Sequence, residues 1–221
     1  MSVDSPIEFS REYLHAQWFT DPMCSWSFAA EDSINAFRRH FSGRLIFQNR
    51  MFVLYRELSG FLDAHGMTSP SEFASRIEKV AKATGKKIES TAWSNNTVPE
   101  SSEQCCLWIK AAQLLDAEKG DLFLSEMRKT LFLEGKDISS ERVIEDLAKS
   151  SGLEVQTLRL GLFSQKVRSV LEEDQKAAED EKVTARPTLV LRNSGGDRVF
   201  IGGLLDSELY IHAGEVLLRE A

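Results

Sequence analysis

The sequence lacks the features that mark disulfide-rich, membrane-spanning or secreted proteins. It has three cysteines among 221 residues, an odd number that does not fit a scaffold of disulfide bridges. No apolar run approaches the roughly 18 residues of a membrane-spanning helix, and the charged first residues carry no apolar segment of the signal-peptide kind. We therefore predict a soluble cytoplasmic protein with reduced thiols and no membrane partner.

Basic residues are also in the minority, because 27 Lys and Arg face 34 Asp and Glu, a net charge of −7. No basic run is present, so we expect no nucleic-acid partner. The four histidines are dispersed without the spacing of metal ligands, and no glycine-rich phosphate loop occurs. The composition therefore predicts no metal site and no tightly bound cofactor.

The order of secondary structure predicts an α/β fold that is interrupted by helices. The beginning is typical of β-α-β: a strand at 16–20, a helix from Ser25 to about Phe41, and a strand from Leu45. The apolar run Leu45–Phe47 indicates a strand buried on both faces. The end of the chain is typical of β-β-α, with strands at 188–191 and 198–201 joined by a Gly-Gly turn.

The middle of the chain shows only helical patterns. Ser69-Pro70-Ser71-Glu72 is a strong helix start, with a capping serine, a proline at the first helical position and a glutamate that can reach back. Amphipathic stripes at helical spacing follow until about residue 182. Hence we predict one α/β domain made of residues 1–60 and 183–221, and an all-helical insertion domain at 61–182.

Cys24 is the residue that most strongly suggests chemistry. It lies where the first strand ends and a helix begins, in Asp21-Pro22-Met23-Cys24-Ser25-Trp26-Ser27. Unpaired backbone N–H groups and the helix dipole at such a position stabilise a thiolate, so a lowered pKa is expected. Ser27 stands where a second cysteine would form a Cys-x-x-Cys pair. Its hydroxyl can hydrogen-bond a thiolate but cannot close a disulfide.

A proline at the start of a later strand is the second informative feature. Arg186-Pro187 leads directly into the strand at Thr188, where a proline is allowed because no ladder N–H is needed. The bond before such a proline is cis in some tight functional turns.

Together these segments resemble the DsbA-like disulfide oxidoreductases and isomerases of the thioredoxin superfamily. Phe19–Trp26 is similar to their active-site segment, and Val183–Val190 to their cis-proline loop. Gln104–Ala112 and Phe132–Ile138 resemble segments of the cytoplasmic branch, which includes FrnE-like proteins and adaptors that deliver the regulator Spx to the ClpXP protease. The resemblance implies a thioredoxin fold with an all-helical insertion domain.

The resemblance also implies roles for particular residues. Cys24 corresponds to the nucleophilic cysteine, Ser27 to the position of the resolving cysteine, and Pro187 to the cis-proline beside which substrates bind. Trp26 would shield the thiol or contact a partner. Arg186 would stabilise a Cys24 thiolate or meet an acidic group on a ligand such as glutathione.

Several of these residues have plainer alternatives. Ser27 either donates a hydrogen bond to the Cys24 thiolate or has simply replaced the second cysteine of a pair that is no longer functional. Cys105 and Cys106 are adjacent on a helix, so one packs in the core while the other packs as well or acts as a substitute resolving thiol. Asp21 is more readily explained as a turn former before Pro22 than as an acid or base near Cys24.

Two functions of different classes follow. In the first, the protein is a monothiol oxidoreductase or isomerase: Cys24 attacks a protein or peptide disulfide, and glutathione or another external thiol resolves the mixed disulfide. A glutathione-dependent isomerase is a close variant, although Cys24 counts against it because those enzymes usually have serine there. In the second, the protein is a non-catalytic adaptor that binds a partner protein, which best explains the missing second cysteine.

Overall fold

The computed structural model describes residues 13–221. Four strands and ten helices follow one another along this part of the chain: β1 Leu14–Thr20, α1 Ser25–His40, β2 Leu45–Met51, α2 Leu58–Ala64, α3 Pro70–Thr84, α4 Thr91–Ser94, α5 Ser102–Leu115, α6 Ala117–Phe132, α7 Glu141–Ser150, α8 Val155–Leu162, α9 Gln165–Asp180, β3 Thr188–Arg192, β4 Arg198–Gly202 and α10 Ser207–Arg219.

The strands form one mixed sheet in the order β2-β1-β3-β4. The first two strands are parallel, and β3 pairs antiparallel with both β1 and β4. Helices α1 and α10 pack together over one face, and α2 to α9 all lie between β2 and β3 in sequence. The predicted thioredoxin fold with a helical insertion is thereby confirmed, while the predicted limits at 61 and 182 stay a prediction.

One expectation about the sheet is wrong. The run Leu45–Phe47 indicated a strand buried on both faces, but β2 is an edge strand and these three residues are partly or fully exposed. Aliphatic and aromatic residues favour any strand, so an apolar run does not by itself distinguish a central strand from an edge strand.

Two hydrophobic clusters organise the interior. The first lies between the sheet and α1 and α10 and is built on Leu14, Ile34, Phe37, Leu191 and Tyr210. The second fills the helical insertion and extends to Met23 and Met51 at the end of the sheet. This continuity places the insertion directly beside the start of α1.

A buried ionic cluster also attaches the insertion to the sheet. The carboxylate of Asp174 on α9 binds Arg50 at 2.9 Å, the backbone N–H of Met51 at 2.8 Å and Lys110 of α5 at 2.6 Å. Asp174 is fully buried and Lys110 nearly so, which makes these contacts weakly screened by water. Both α5 and α9 are therefore anchored at the end of β2.

Local sequence signals explain the helix ends. Ser69 and Glu72 form the predicted capping box at the start of α3, and Gly85 ends that helix in the left-handed region at φ 66°. None of the helices in residues 13–221 is both long and apolar enough to cross a bilayer.

Candidate functional site around Cys24

Cys24 is the N-terminal cap of α1, directly after the strand β1 and the turn Asp21–Met23. Its N–H donates to the carbonyl of Asp21 at 3.2 Å, and its own carbonyl accepts from Phe28 at 3.0 Å, which begins the helix. The sulfur lies 3.7 Å from the carbonyl oxygen of Arg186. Only 8% of the residue is exposed, so the thiol is largely buried.

Burial raises the pKa of the Cys24 thiol above its ordinary value. The hydroxyl and backbone N–H of Ser27 near the sulfur and the charge of Arg186 act in the opposite direction by favouring the thiolate, while the Asp21 carboxylate adds to the increase. The sequence-based expectation of a lowered pKa is therefore wrong. The helix start was identified correctly, but the depth at which the thiol is buried outweighs its stabilising donors.

Ser27 is fully buried one turn along α1 from Cys24. In the thiol form of the site its Oγ has no hydrogen-bond partner among the described residues, although Ser27 lowers the pKa of Cys24. A hydroxyl beside a sulfur becomes a useful donor when the sulfur carries negative charge. The position thus favours an ionised Cys24 but offers no second thiol for an internal disulfide.

Arg186 and Pro187 form the opposite wall of the site. The peptide bond between them is cis, and Pro187 is buried. The Arg186 guanidinium donates to the carbonyls of Phe52 at 2.6 Å and Val53 at 2.8 Å, and it stacks on the Phe52 ring at 4.1 Å. Arg186 therefore ties the loop before β3 to the segment after β2, a structural role that the sequence did not suggest.

Trp26 is the exposed member of the predicted site. It lies in the first turn of α1 and is 41% exposed, in contrast to the buried Ser25 and Ser27 on either side. An exposed indole is a common anchor for protein partners. The structure thus brings Cys24, Ser27, Arg186 and Pro187 together and leaves Trp26 facing solvent at the start of the same helix.

Asp21 is a buried carboxylate with several hydrogen-bond partners, whereas the sequence suggested mainly a role in the turn before Pro22. Its Oδ1 accepts from the N–H of Met23 at 2.8 Å, which is the expected turn contact. Its Oδ2 accepts from the N–H of Leu54 at 2.7 Å and the hydroxyl of Ser102 at 2.9 Å. One carboxylate therefore joins the Cys24 turn, the segment after β2 and helix α5.

Cys105 and Cys106 both lie in the core, with no exposed surface. The sulfur of Cys106 is 3.5 Å from Oδ2 of Asp21, and burial raises the pKa of both thiols well above the ordinary value. The structure therefore favours the interpretation that they pack as small hydrophobic residues over that of a substitute resolving thiol.

A groove of about 730 Å³ opens between the thioredoxin fold and the insertion, and Arg186 is part of its wall. Leu54 and Tyr55 line it from the segment after β2, and Phe61 and Phe73 line it from α2 and α3. The two phenylalanine rings are 5.0 Å apart and Phe73 lies 4.7 Å from Trp93. The groove therefore offers a mostly apolar, aromatic surface that extends to Arg186, whose carbonyl oxygen lies 3.7 Å from the sulfur of Cys24.

The sequence pattern of the thioredoxin family matches residues 18–210. This chain belongs to the thioredoxin family. Together with the fold, the match confirms the resemblance to DsbA-like proteins. Among curated proteins, the ClpXP adapter protein SpxH of Bacillus subtilis is 27% identical over 186 residues, which are 82% of this chain and 59% of that protein. The chain therefore spans less than two thirds of this relative.

Solved structures show the same fold in this family. A candidate protein disulfide isomerase from Nitrosomonas europaea superimposes with a TM-score of 0.77 at 19% identity, covering 95% of this chain and 99% of that one. The cytosolic disulfide reductase DsbM from Pseudomonas aeruginosa gives 0.69 at 16% identity, with 93% and 96% coverage, and it has also been solved with glutathione.

Proposed function

We propose that this DsbA-like protein is an adaptor that binds a segment of a partner protein in the groove beside Cys24. The observation that carries the proposal is the combination of an open aromatic groove with a buried, single thiol of raised pKa. The groove offers binding surface, whereas the thiol has no second cysteine beside it, and burial raises its pKa and so disfavours the thiolate that disulfide chemistry needs.

The lining of the groove indicates the kind of segment it would bind. Phe61 and Phe73 provide apolar area for an aliphatic or aromatic anchor, and such anchors supply most of the binding energy at protein interfaces. Arg186 keeps the opposite wall in place through its two carbonyl contacts. The name of the Bacillus subtilis relative supports a protein partner connected with the ClpXP protease.

The test uses purified Spx and ClpX from the same organism as probes, with binding followed by fluorescence anisotropy. We expect Phe61→Ser and Phe73→Ser to weaken binding at least about tenfold, since each removes a partly exposed aromatic side chain from the wall of the groove. Leu209→Ser is the matched control, because Leu209 is equally apolar but lies exposed on α10. Cys24→Ala should bind like the wild type. An affinity that is unchanged in both Phe61→Ser and Phe73→Ser would overturn the proposal.

Monothiol exchange is the second candidate, and the buried hydroxyl of Ser27 is the observation that favours it. An ionised Cys24 would attack a substrate disulfide, giving a mixed disulfide and releasing one thiolate. Glutathione, as co-substrate, would then attack the mixed disulfide, become disulfide-linked to the substrate sulfur and return Cys24 to the thiolate. The glutathione complex of the Pseudomonas aeruginosa neighbour supports this ligand class.

Turnover separates the two candidates. A glutathionylated peptide with reduced glutathione is the probe. Cys24 would attack the glutathione sulfur of the probe and release the peptide thiol, which is measured, and reduced glutathione would then free Cys24 by forming glutathione disulfide. Turnover by the wild type that Cys24→Ala abolishes and Cys105→Ala retains would establish the thiol enzyme. No turnover above the Cys24→Ala level would leave the adaptor as the function. In either case we propose the cytoplasm as the compartment, as for the cytosolic neighbour.

A further inference from the structure

The outer face of α8 carries the two most exposed large apolar side chains of residues 13–221. Leu160 is 76% exposed and Phe163, at the end of the helix, is 79% exposed, whereas the other exposed side chains of this kind reach at most 53%. The opposite face of α8 packs on the protein: Leu158 is buried, and a Cβ at Gly161 would lie 3.8 Å from the Cβ of Ala111 on α5. Because helix residues three apart share one face, Leu160 and Phe163 form one apolar patch.

This patch reverses the usual amphipathicity of a surface helix. Such a helix normally turns polar residues to solvent, yet α8 turns a leucine and a phenylalanine outward. Neither side chain contributes much to the stability of the fold, since so little of its surface is buried. Single exposed apolar side chains are common, whereas contiguous ones mark interaction sites. The pair therefore indicates a contact with another molecule.

Two unpaired cations follow the apolar patch. Lys166 and Arg168 lie in the first turn of α9, within five residues of Phe163, and both are exposed. In the described part of the chain, no carboxylate lies within 4 Å of either cation, whereas Arg159 of α8 pairs with Glu145. The helix dipole disfavours positive charge in a first turn, and α9 has no acidic residue there. These cations therefore do not serve the stability of their own helix.

We infer that Leu160, Phe163, Lys166 and Arg168 form a second docking surface, the α8 surface, for a protein segment that carries an apolar anchor beside carboxylates. The apolar pair would bind the anchor, and the two cations would attract the carboxylates. A second copy of this chain does not fit, because a symmetric contact through the α8 surface would bring four cations together. The net charge of −7 opposes association with an anionic membrane.

The inference rests on the proposed adaptor function and extends it. An adaptor needs a surface for each of the two proteins that it brings together, and the α8 surface shares no residue with the aromatic groove. The apolar part of the surface is small, which suits a transient contact better than a permanent one. The groove and the α8 surface would thus bind different partners.

Binding of purified Spx and ClpX to the full chain, followed by fluorescence anisotropy, provides the test. We expect the double variant Leu160→Ser with Phe163→Ser to weaken binding of one of these proteins at least about tenfold and to leave the other unchanged. Phe200→Ser with Leu209→Ser is the matched control, because it removes the same two residue types from exposed positions on β4 and α10. If the affinities for both proteins are unchanged in the α8 double variant, the inference is wrong.

Reversal of one charge tests the cationic part of the α8 surface. Lys166→Glu should weaken binding of the same protein at least about threefold at low salt, and the difference from the wild type should become smaller as salt is added. Lys176→Glu is the control, since Lys176 is also exposed on α9 and has no carboxylate within 4 Å in the described residues. Equal effects of the two reversals would contradict a specific contact at Lys166.

The groove variants, measured beside these, separate the two proposals. If only Phe61→Ser and Phe73→Ser weaken binding, the groove is a docking site and the α8 surface is not. If only the α8 double variant does so, the α8 surface stands and the groove proposal fails. If neither protein binds the wild-type chain, both fail. Sedimentation with phosphatidylglycerol vesicles that Phe163→Ser abolishes would assign the surface to a membrane, and a dimer that Phe163→Ser dissociates would assign it to a second copy; either result would overturn the inference.

Discussion

The sulfur of Cys24 and the carbonyl oxygen of Arg186 are 3.7 Å apart, although 162 positions separate the two residues in sequence. Since a carbonyl accepts only from a protonated thiol, this contact exists in the neutral form of the site and is lost when Cys24 ionises. The hydroxyl of Ser27 can then replace it as a donor to the thiolate. The two neighbours therefore stabilise opposite protonation states of one sulfur.

Alkylation of Cys24 should follow from this balance. We expect slow labelling by iodoacetamide and an apparent pKa above the ordinary thiol value of about 8.5, because burial outweighs the donors. Ser27→Ala should raise the pKa further and slow labelling at pH 7, since a donor to the thiolate is lost. Ser25→Ala is the neighbouring control. Mass spectrometry locates the label, and a measured pKa below the ordinary value would contradict the assignment.

Stability should decrease at alkaline pH because the three thiols have raised pKa values in the folded state. The unfolded chain loses these protons above about pH 8.5, whereas the folded chain still holds them. The free energy of unfolding should therefore decrease with rising pH, by about 1.4 kcal/mol per pH unit for each thiol. Below about pH 8.5 the thiols are protonated in both states, so the stabilisation that comes from their raised pKa values is fully present there.

Urea unfolding between about pH 7.5 and 9 under reducing conditions measures this slope, below the pH at which Tyr55 and Tyr210, whose pKa values burial also raises, lose protons in the unfolded chain. In the double variant Cys105→Ala and Cys106→Ala only Cys24 remains, so the slope should decrease to about one third of the wild-type value. An unchanged slope would show that groups other than the buried thiols control alkaline unfolding.

Removal of Asp174 should be the most damaging change at the junction of insertion and sheet. Asp174→Ala leaves Lys110 buried without its partner and frees the N–H of Met51, which should cost about 3–5 kcal/mol. Glu145→Gln, which affects the partly exposed pair with Arg159, should cost below about 1 kcal/mol. Chemical denaturation compares the two, and equal costs would contradict the importance of the buried cluster.

Gly120 should not tolerate a side chain, because α5 and α6 touch there. A Cβ at this position would lie 2.5 Å from the backbone nitrogen of Gln113, so Gly120→Ala should destabilise the protein by about 1–3 kcal/mol. Gly60 on α2 meets no atom within 4 Å, and Gly60→Ala should stabilise by up to about 1 kcal/mol through helix propensity. Thermal unfolding should show shifts of opposite sign.

The local pattern predicted the elements that carry strong signals. The strand before Asp21, the helix from Ser25 and the capping box at Ser69 are all found near their predicted bounds. These features are determined by residues that are close together in sequence, so they can be predicted without knowledge of the tertiary structure. The polar Gln48-Asn49-Arg50 interrupts the apolar pattern that begins at Leu45, so the sequence did not define where this strand ends, whereas the structure continues it to Met51.

The buried charges were not predictable in the same way. Arg128 and Asp174 are fully buried on their helices although charged residues seldom are, so their residue types do not reveal their surroundings. Their partners, Thr20 and Met51, are more than 100 positions away. Likewise, the pKa of Cys24 depends on how deeply the fold buries its thiol, which only the tertiary structure reveals.

The pairing of β1 with β3 has a consequence for synthesis on the ribosome. Residues 14–20 emerge early, but their partner strand at 188–192 is translated only near the end. The buried residues of the insertion cluster lie between Met23 and Leu171, so that cluster can assemble while β1 still has an unpaired edge. A nascent chain of this kind would depend on chaperones to protect that edge until its last strands arrive.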